Sequence, residues 1–388
     1  MAYYINEINK NGQIAVDDTI LVKDVPATAG SKMLEGFKPL FSAEAVERLI
    51  AAGYTLSGKT AVGEFGLDLY GETSTNDICA AAALVKEGSV KAALNVDLNG
   101  TPRRAAAING VTFIKPTYGT VSRYGVIACA CSGEQIGVTA KNADTAAEVL
   151  AVIAGYDSKD GTSIKNEKYE YNTEVSAKGM KIALVKELYD AADDGVKAKI
   201  DAAVTTYKAQ GAEIEEISLP VVSALQTAWT ILMSAETTNN LSRFDGVKYG
   251  HRAEQYKNID ELYVNSRTEG FGFLTKATIL YGSDVLSKGR YEDCYDKALK
   301  VRRIAVETLQ SFFASFDALL MPAYGKADFE TYPVEEAFNK VFEASLFTAP
   351  ASITGLPAVV SEGVQLVGDY FCDGKLLGLA KILEKEEA

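Results

Sequence analysis

The chain has 388 residues, 47% hydrophobic and 23% charged, with a formal net charge of −13 and a single histidine, His251. A chain this long can bury a large core as one big domain or two ordinary ones. Its acidity argues against direct binding to nucleic acid, which rests on clustered Lys and Arg, and the lone His leaves little room for His-based metal sites or a Ser-His-Asp relay.

No run of 18 uncharged apolar residues occurs, and the N-terminus "MAYYINEINKNGQ" has neither a basic nor an apolar leader region. A soluble, cytoplasmic chain without membrane contact is expected. The five cysteines form no CxxC pair and read as reduced thiols.

In chain order, the apolar run Thr19–Val22 in "DDTILVKD" predicts a buried strand with Lys23 and Asp24 at its C-terminal end, where α/β folds place chemistry. Ser42 reads as the N-cap of "AEAVERLIAAG", with Val46, Leu49 and Ile50 on one face and Gly53 as the stop. Residues 78–87, "ICAAAALVKE", predict an interior helix whose small side chains permit close approach. "MKIALVKEL", "GVKAKIDAAVTTYKAQG" and "AEIEEISLP" give a strand-helix-strand rhythm with Gly211 as the helix stop, so the sheet is at least partly parallel. The segment "GRYEDCYDKALKVRRIAVETLQSFFASF" predicts a helix with Ala298, Val301, Ile304, Ala305 and Leu309 inward, "DALLMPAYG" a strand and turn, and "KILEKEEA" a fraying helix end. No repeat or linker is evident, so one domain over 1–388 is expected.

The segments "SKMLEGF", "IKPTYGTVSRYGV", "NNLSRFDGVKYGHR", "SRTEGFG" and "KALKVRR" occur in an order that resembles the amidase signature family. Within it, the resemblance is to the A (glutaminase) subunits of tRNA-dependent Glu/Asp amidotransferases. It implies an α/β amidase-signature fold, a large mixed β-sheet covered on both faces by helices. It also implies a Ser–cis-Ser–Lys triad for amide hydrolysis that uses no cofactor or metal. The chain reads as shortened at both termini relative to the family.

Lys23 matches the family lysine in its "KD" context. A strand-end lysine is ordinarily solvated, but the flanking match favours a buried general base. The nucleophile serine falls on Thr101 within "DLNGTPR", with Asn99 and Gly100 at the oxyanion loop. The β-methyl of Thr101 stiffens χ1 and crowds attack, and Asn99 replaces a glycine where backbone must approach the oxyanion. Counting back by the family spacing puts Asp77 at the bridging serine, where an ionised carboxylate would hold Lys23 charged. Thr101 therefore reads as marking a lost nucleophile, and Lys23, Asp77 and Thr101 as vestigial triad positions. Cys79 reads as a buried, inert thiol.

On the substrate side, Arg302 matches the arginine that the resemblance pairs with the α-carboxylate of glutamine; an ordinary ion-pair residue is the alternative. Cys372 falls where the family has the carboxylate for the α-ammonium, with Asp373 one residue on. His251 reads as a packing or partner-facing residue. Three functions stay open. The favoured one is a non-hydrolytic paralogue that binds a B-subunit-like amidotransferase partner carrying the RNA. The others are an active glutaminase using Thr101 with Lys23, and a binding module for glutamine or another amide.

Overall fold

The computed structural model of the chain describes residues 3–67, 80–165, 169–326 and 332–384. Asp77 and Cys79 lie outside the described residues. The strands are β1 (Tyr4–Glu7), β2 (Ile14–Asp17), β3 (Leu56–Thr60), β4 (Ala92–Asp97), β5 (Thr112–Lys115), β6 (Gln135–Ala140), β7 (Lys181–Val185), β8 (Glu213–Ile217), β9 (Ala318–Pro322), β10 (Ala358–Ser361) and β11 (Val364–Val367). They form one sheet in the order β1-β3-β2-β4-β6-β5-β10-β11-β9-β7-β8. The sheet is mixed: β2 runs parallel to β3 and β4, and β7 parallel to β8 and β9, while β4, β5 and β6 pair antiparallel.

Strand side chains alternate between the two faces and bury on both. On one face Val16, Leu94, Ile114, Ile182 and Leu320 pack with the helices Glu44–Ala51, Ala143–Ile153, Asp194–Ala209 and Asp373–Leu383. On the other, Ala15, Ala93 and Phe113 pack under the helices Ala80–Lys86 and Thr101–Asn109. Further along that face, Ala183, Val185, Leu319 and Met321 pack under Val222–Leu241 and Lys297–Phe313. The Ala-rich helix is buried along Ala80–Val85, as its small side chains predict. Gly211 ends its helix at φ +86°, and Gly53 follows the end of its own at φ +89°. Among the described residues no helix is long and apolar enough to cross a membrane.

The first strand expectation fails in an informative way. The strand is Ile14–Asp17, not Thr19–Val22. Its last residue, Asp17, accepts from the backbone N–H of Thr19 at 2.9 Å and from its hydroxyl at 2.7 Å, which turns the chain out of the sheet. The apolar residues that follow are buried by loop contacts instead: Ile20 bridges Val126, and Leu21 pairs with Gly125 and Ala43 through the backbone.

Ser42 is not a cap. Ala43 holds that position, and the Ser42 hydroxyl accepts from the Lys23 N–H at 3.1 Å. Ile50 and Ile304 are exposed and Val301 is half-buried, so the inward stripes are narrower than the sequence periodicity suggests.

Candidate active site

β4 delivers the chain through Leu98–Asn99–Gly100 into the helix Thr101–Asn109. Gly100 adopts φ +75°, and a Cβ there would lie 2.3 Å from the Thr348 side chain, so only glycine fits this turn. Asp97 closes the strand and organises the turn. It accepts from the Gly100 N–H at 3.2 Å and takes Arg103 in a fork, Nε at 2.8 Å and Nη2 at 3.1 Å. Arg103 also donates to the Thr348 carbonyl, Gln365 Oε1 and Ser352 Oγ, so a fully buried guanidinium is surrounded by acceptors. One loop amide that an oxyanion hole would draw on therefore points inward to Asp97.

Thr101 is 9% exposed, and its hydroxyl accepts a long bond, 3.5 Å, from Arg104 Nη2. The loop before it is covered. Trp229, buried in the helix Val222–Leu241, donates its indole N–H to Asn99 Oδ1 at 2.9 Å. The Thr348 hydroxyl donates to the Asn99 carbonyl at 3.2 Å. The Asn99 amide nitrogen is buried with no hydrogen-bond partner. Trp229 lies so close to Gly133 that a Cβ there would stand 2.0 Å from the indole, which fixes the lid over Asn99.

The strand beside β4 ends at Asp17, whose second carboxylate oxygen accepts from the Val96 N–H at 3.1 Å. Burial raises the Asp17 carboxyl above the usual carboxylate range, against the pull of these hydrogen bonds. The buried lysine of this region is Lys59 on β3. It donates to the backbone carbonyls of Asp18 and Ile20 and stands 3.5 Å from Asp18 Oδ1. Burial lowers the Lys59 ammonium below the usual lysine range. Lys23, expected here as the buried base, is exposed in the loop beyond. The reason is the strand shift: with β2 ending at Asp17, Lys23 lies past the turn. The acidic pair Asp17–Asp18 closing an apolar run was the signal the sequence offered, but the longer run after it outweighed it.

Arg302, on the helix Lys297–Phe313, is half-buried and donates within the protein to Ser132. Its Nη1 donates to Ser132 Oγ and its Nη2 to the Ser132 carbonyl, both at 3.1 Å. Ser132 is held in turn by Glu236, which accepts its N–H at 2.9 Å and its hydroxyl. Ser132 and Glu236 were not singled out in the sequence, and no local pattern joins positions so far apart.

Asp373 is buried and accepts from the Thr117 N–H at 2.8 Å and hydroxyl at 2.7 Å; burial raises its carboxyl above the usual range. The half-buried Cys372 thiol is also pushed up by burial. The structure thus engages Arg302 and Asp373 with separate partners. His251 meets Glu269 Oε2 at 2.8 Å through Nε2, and its backbone N–H donates to Met33.

A large mixed sheet with helices on both faces, and a hydroxyl residue opening a helix behind a glycine turn, make an α/β scaffold. The chain belongs to the amidase family, whose model, described as Amidase, matches residues 13–77 and 81–377. It is 36% identical to the A subunit of glutamyl-tRNA(Gln) amidotransferase from Chlorobium phaeobacteroides (strain BS1), over 96% of this chain and 84% of that one. It is 37% identical to the same-named protein of Latilactobacillus sakei subsp. sakei (strain 23K), over 92% of this chain and 79% of that one. The fold matches the crystal structure of the glutamyl-tRNA(Gln) amidotransferase A subunit from Thermotoga maritima with a TM-score of 0.78 at 28% identity, covering 96% of this chain and 83% of that one.

Proposed function

We propose that this chain, similar to amidotransferase A subunits, is non-hydrolytic and works by binding, as a partner-holding or regulatory component. The observation that carries the reading is the surroundings of Thr101. A hydroxyl nucleophile must hand its proton to a base, whereas among the described residues no base accepts from the buried Thr101 hydroxyl, whose one hydrogen bond is the long one it takes from Arg104. The strand end beside β4 carries Asp17, whose oxygens already take donors from Thr19 and Val96. Asp77 at the bridging-serine position is a second carboxylate, and Lys23 is in solvent. We therefore place Asp17, rather than Lys23, where the family lysine belongs. Both terminal nitrogens of Arg302 donate to Ser132, so an amino-acid carboxylate would have to compete with that residue for them, which weighs against the amide-binding reading.

The partner we propose is a protein of the amidotransferase B-subunit type, which would carry any RNA; the identity to A subunits supports this. Val247 and Tyr249 stand exposed in the stretch "NNLSRFDGVKYGHR", as a partner-facing segment requires. The setting is cytoplasmic on this reading. The eleven strands of the described residues lie in one sheet, from Tyr4 to Val367, which supports one amidase-type domain. The test is purification of the full chain from its own cells, followed by size-exclusion chromatography and mass spectrometry. A stoichiometric B-type partner in the same peak is expected; a monomer free of it overturns the partner reading.

A further inference from the structure

A hollow of about 170 Å³ opens at Arg104 on the helix Thr101–Asn109. Much of its wall is hydrocarbon and aromatic ring, from Ala191, Tyr324, Tyr332, Val341, Ala344 and Phe347. An apolar cavity of about 150 Å³ admits a molecule the size of benzene, so this one has room for a small organic ligand. Arg302 and Ser132 are not in the wall.

The charge of Arg104 is unanswered. It is 1% exposed, yet among the described residues no carboxylate lies within ion-pair distance of it. Asp97, the acid nearest in sequence, is already taken in a fork by Arg103. A guanidinium carries five N–H donors. Here Nη1 donates to the Asn99 carbonyl, Nη2 makes the long bond to Thr101, and Nε is buried with no partner. A buried cation without an anion is costly. The position adds to the cost, because Arg104 sits in the first turn of its helix, where the backbone field favours negative charge. Burial also lowers its proton affinity, with the neighbouring Arg103 charge acting the same way. An anion held against Arg104 relieves these penalties together.

The other charged residues of the wall do not supply that anion, nor a second site for one. Glu343 stands 3.8 Å from Lys340, and Lys326 and Lys340 already hold partners of their own. The charge to be met is therefore single. The apolar share of the wall then selects among anions: a fully hydrated inorganic ion would lose water to methyl groups and rings that return no hydrogen bond, whereas an organic acid sets its hydrocarbon there.

We propose that this hollow binds a small monocarboxylate with an apolar body, the carboxylate paired with the Arg104 guanidinium and the body against the apolar part of the wall. Planar carboxylate and planar guanidinium match in geometry, which a tetrahedral phosphate does less well. The proposal does not rest on the loss of hydrolysis, since neither Asp17 nor the Thr101 proton enters it.

The full chain is titrated by calorimetry at low ionic strength with benzoate, with benzamide as its neutral counterpart of the same shape, and with inorganic phosphate. Saturable benzoate binding is expected, with benzamide and phosphate each about tenfold weaker or more. Arg104→Met should weaken benzoate about tenfold by removing the charge. Ala344→Leu should weaken it by a similar factor by filling the hollow while leaving Arg104 in place, which keeps the test decisive if Arg104→Met does not fold. Absence of saturable benzoate binding overturns the proposal. So does benzoate binding that either folded variant leaves unchanged, and so does benzamide or phosphate binding as tight as that of benzoate.

Discussion

Arg103 and Arg104 are neighbours on one helix, both buried, and they live in opposite electrostatic circumstances. Arg103 forks onto Asp97 and fills its remaining directions with a carbonyl, an amide oxygen and a hydroxyl. Arg104 has a carbonyl, a distant hydroxyl and an orphaned Nε. The first holds the turn in place as part of the scaffold; the second is a charge kept in the interior without a carboxylate partner among the described residues. Burial alone therefore does not identify what a charged residue is for. The completeness of its hydrogen bonding does.

Opposite responses to the same substitution are expected at the two positions. Arg103→Met strands the Asp97 carboxylate in the interior and should cost about 3–5 kcal/mol in urea unfolding. A loss below about 1 kcal/mol would remove the contrast on that side. Arg104→Met removes a buried cation without stranding an anion and should leave stability within about 1 kcal/mol of the parent, or raise it.

Between these extremes lies Lys115, another buried cation of this neighbourhood, whose ammonium donates to the Leu356 carbonyl at 3.0 Å and is pulled down by burial to about 8. The unfolded chain keeps an ordinary lysine near 10.4, so from about pH 8 to about pH 10 the unfolded state holds more protons than the folded one. Stability conferred by this group must therefore rise with pH across that window. Lys115→Met should flatten the rise by on the order of 1 kcal/mol per pH unit, read from urea midpoints at about pH 7.5 and about pH 9.5. Unchanged pH dependence would show that Lys115 is not held in this way.

A smaller effect probes the lid. Trp229→Phe keeps an aromatic ring but removes the donor to Asn99 Oδ1, and should cost about 1–2 kcal/mol by leaving that oxygen unsatisfied. A neutral result would mean that the loop does not depend on the tryptophan hydrogen bond.

Much of the scaffold was legible where local chemistry decides the outcome. The helix Asp194–Ala209 with its glycine stop, the parallel pair β7–β8 and the buried Ala-rich helix all followed from periodicity and terminators. The strand at Ile14–Asp17 was misplaced because a buried acid ends it, and hydrophobic runs say nothing about a carboxylate satisfied by Thr19 and Val96. The glycine turn at Asn99, Gly100 and Thr101 was legible, since these neighbours in the chain lead from the strand into the helix Thr101–Asn109. What closes that turn was not, because Trp229 lies 130 residues from Asn99 and Thr348 249 residues away. Arg302 and Ser132 are likewise joined across 170 residues. Such contacts are set by packing across the sheet, not by any pattern along the chain.

Whether Thr101 still performs hydrolysis is tested most directly by ammonia release from glutamine, measured for the full chain with any co-purifying partner present and compared with the Thr101→Ala variant. The parent should release no more ammonia than the variant. A parent rate that Thr101→Ala abolishes would contradict the non-hydrolytic reading and make Thr101 the nucleophile of a working amidase.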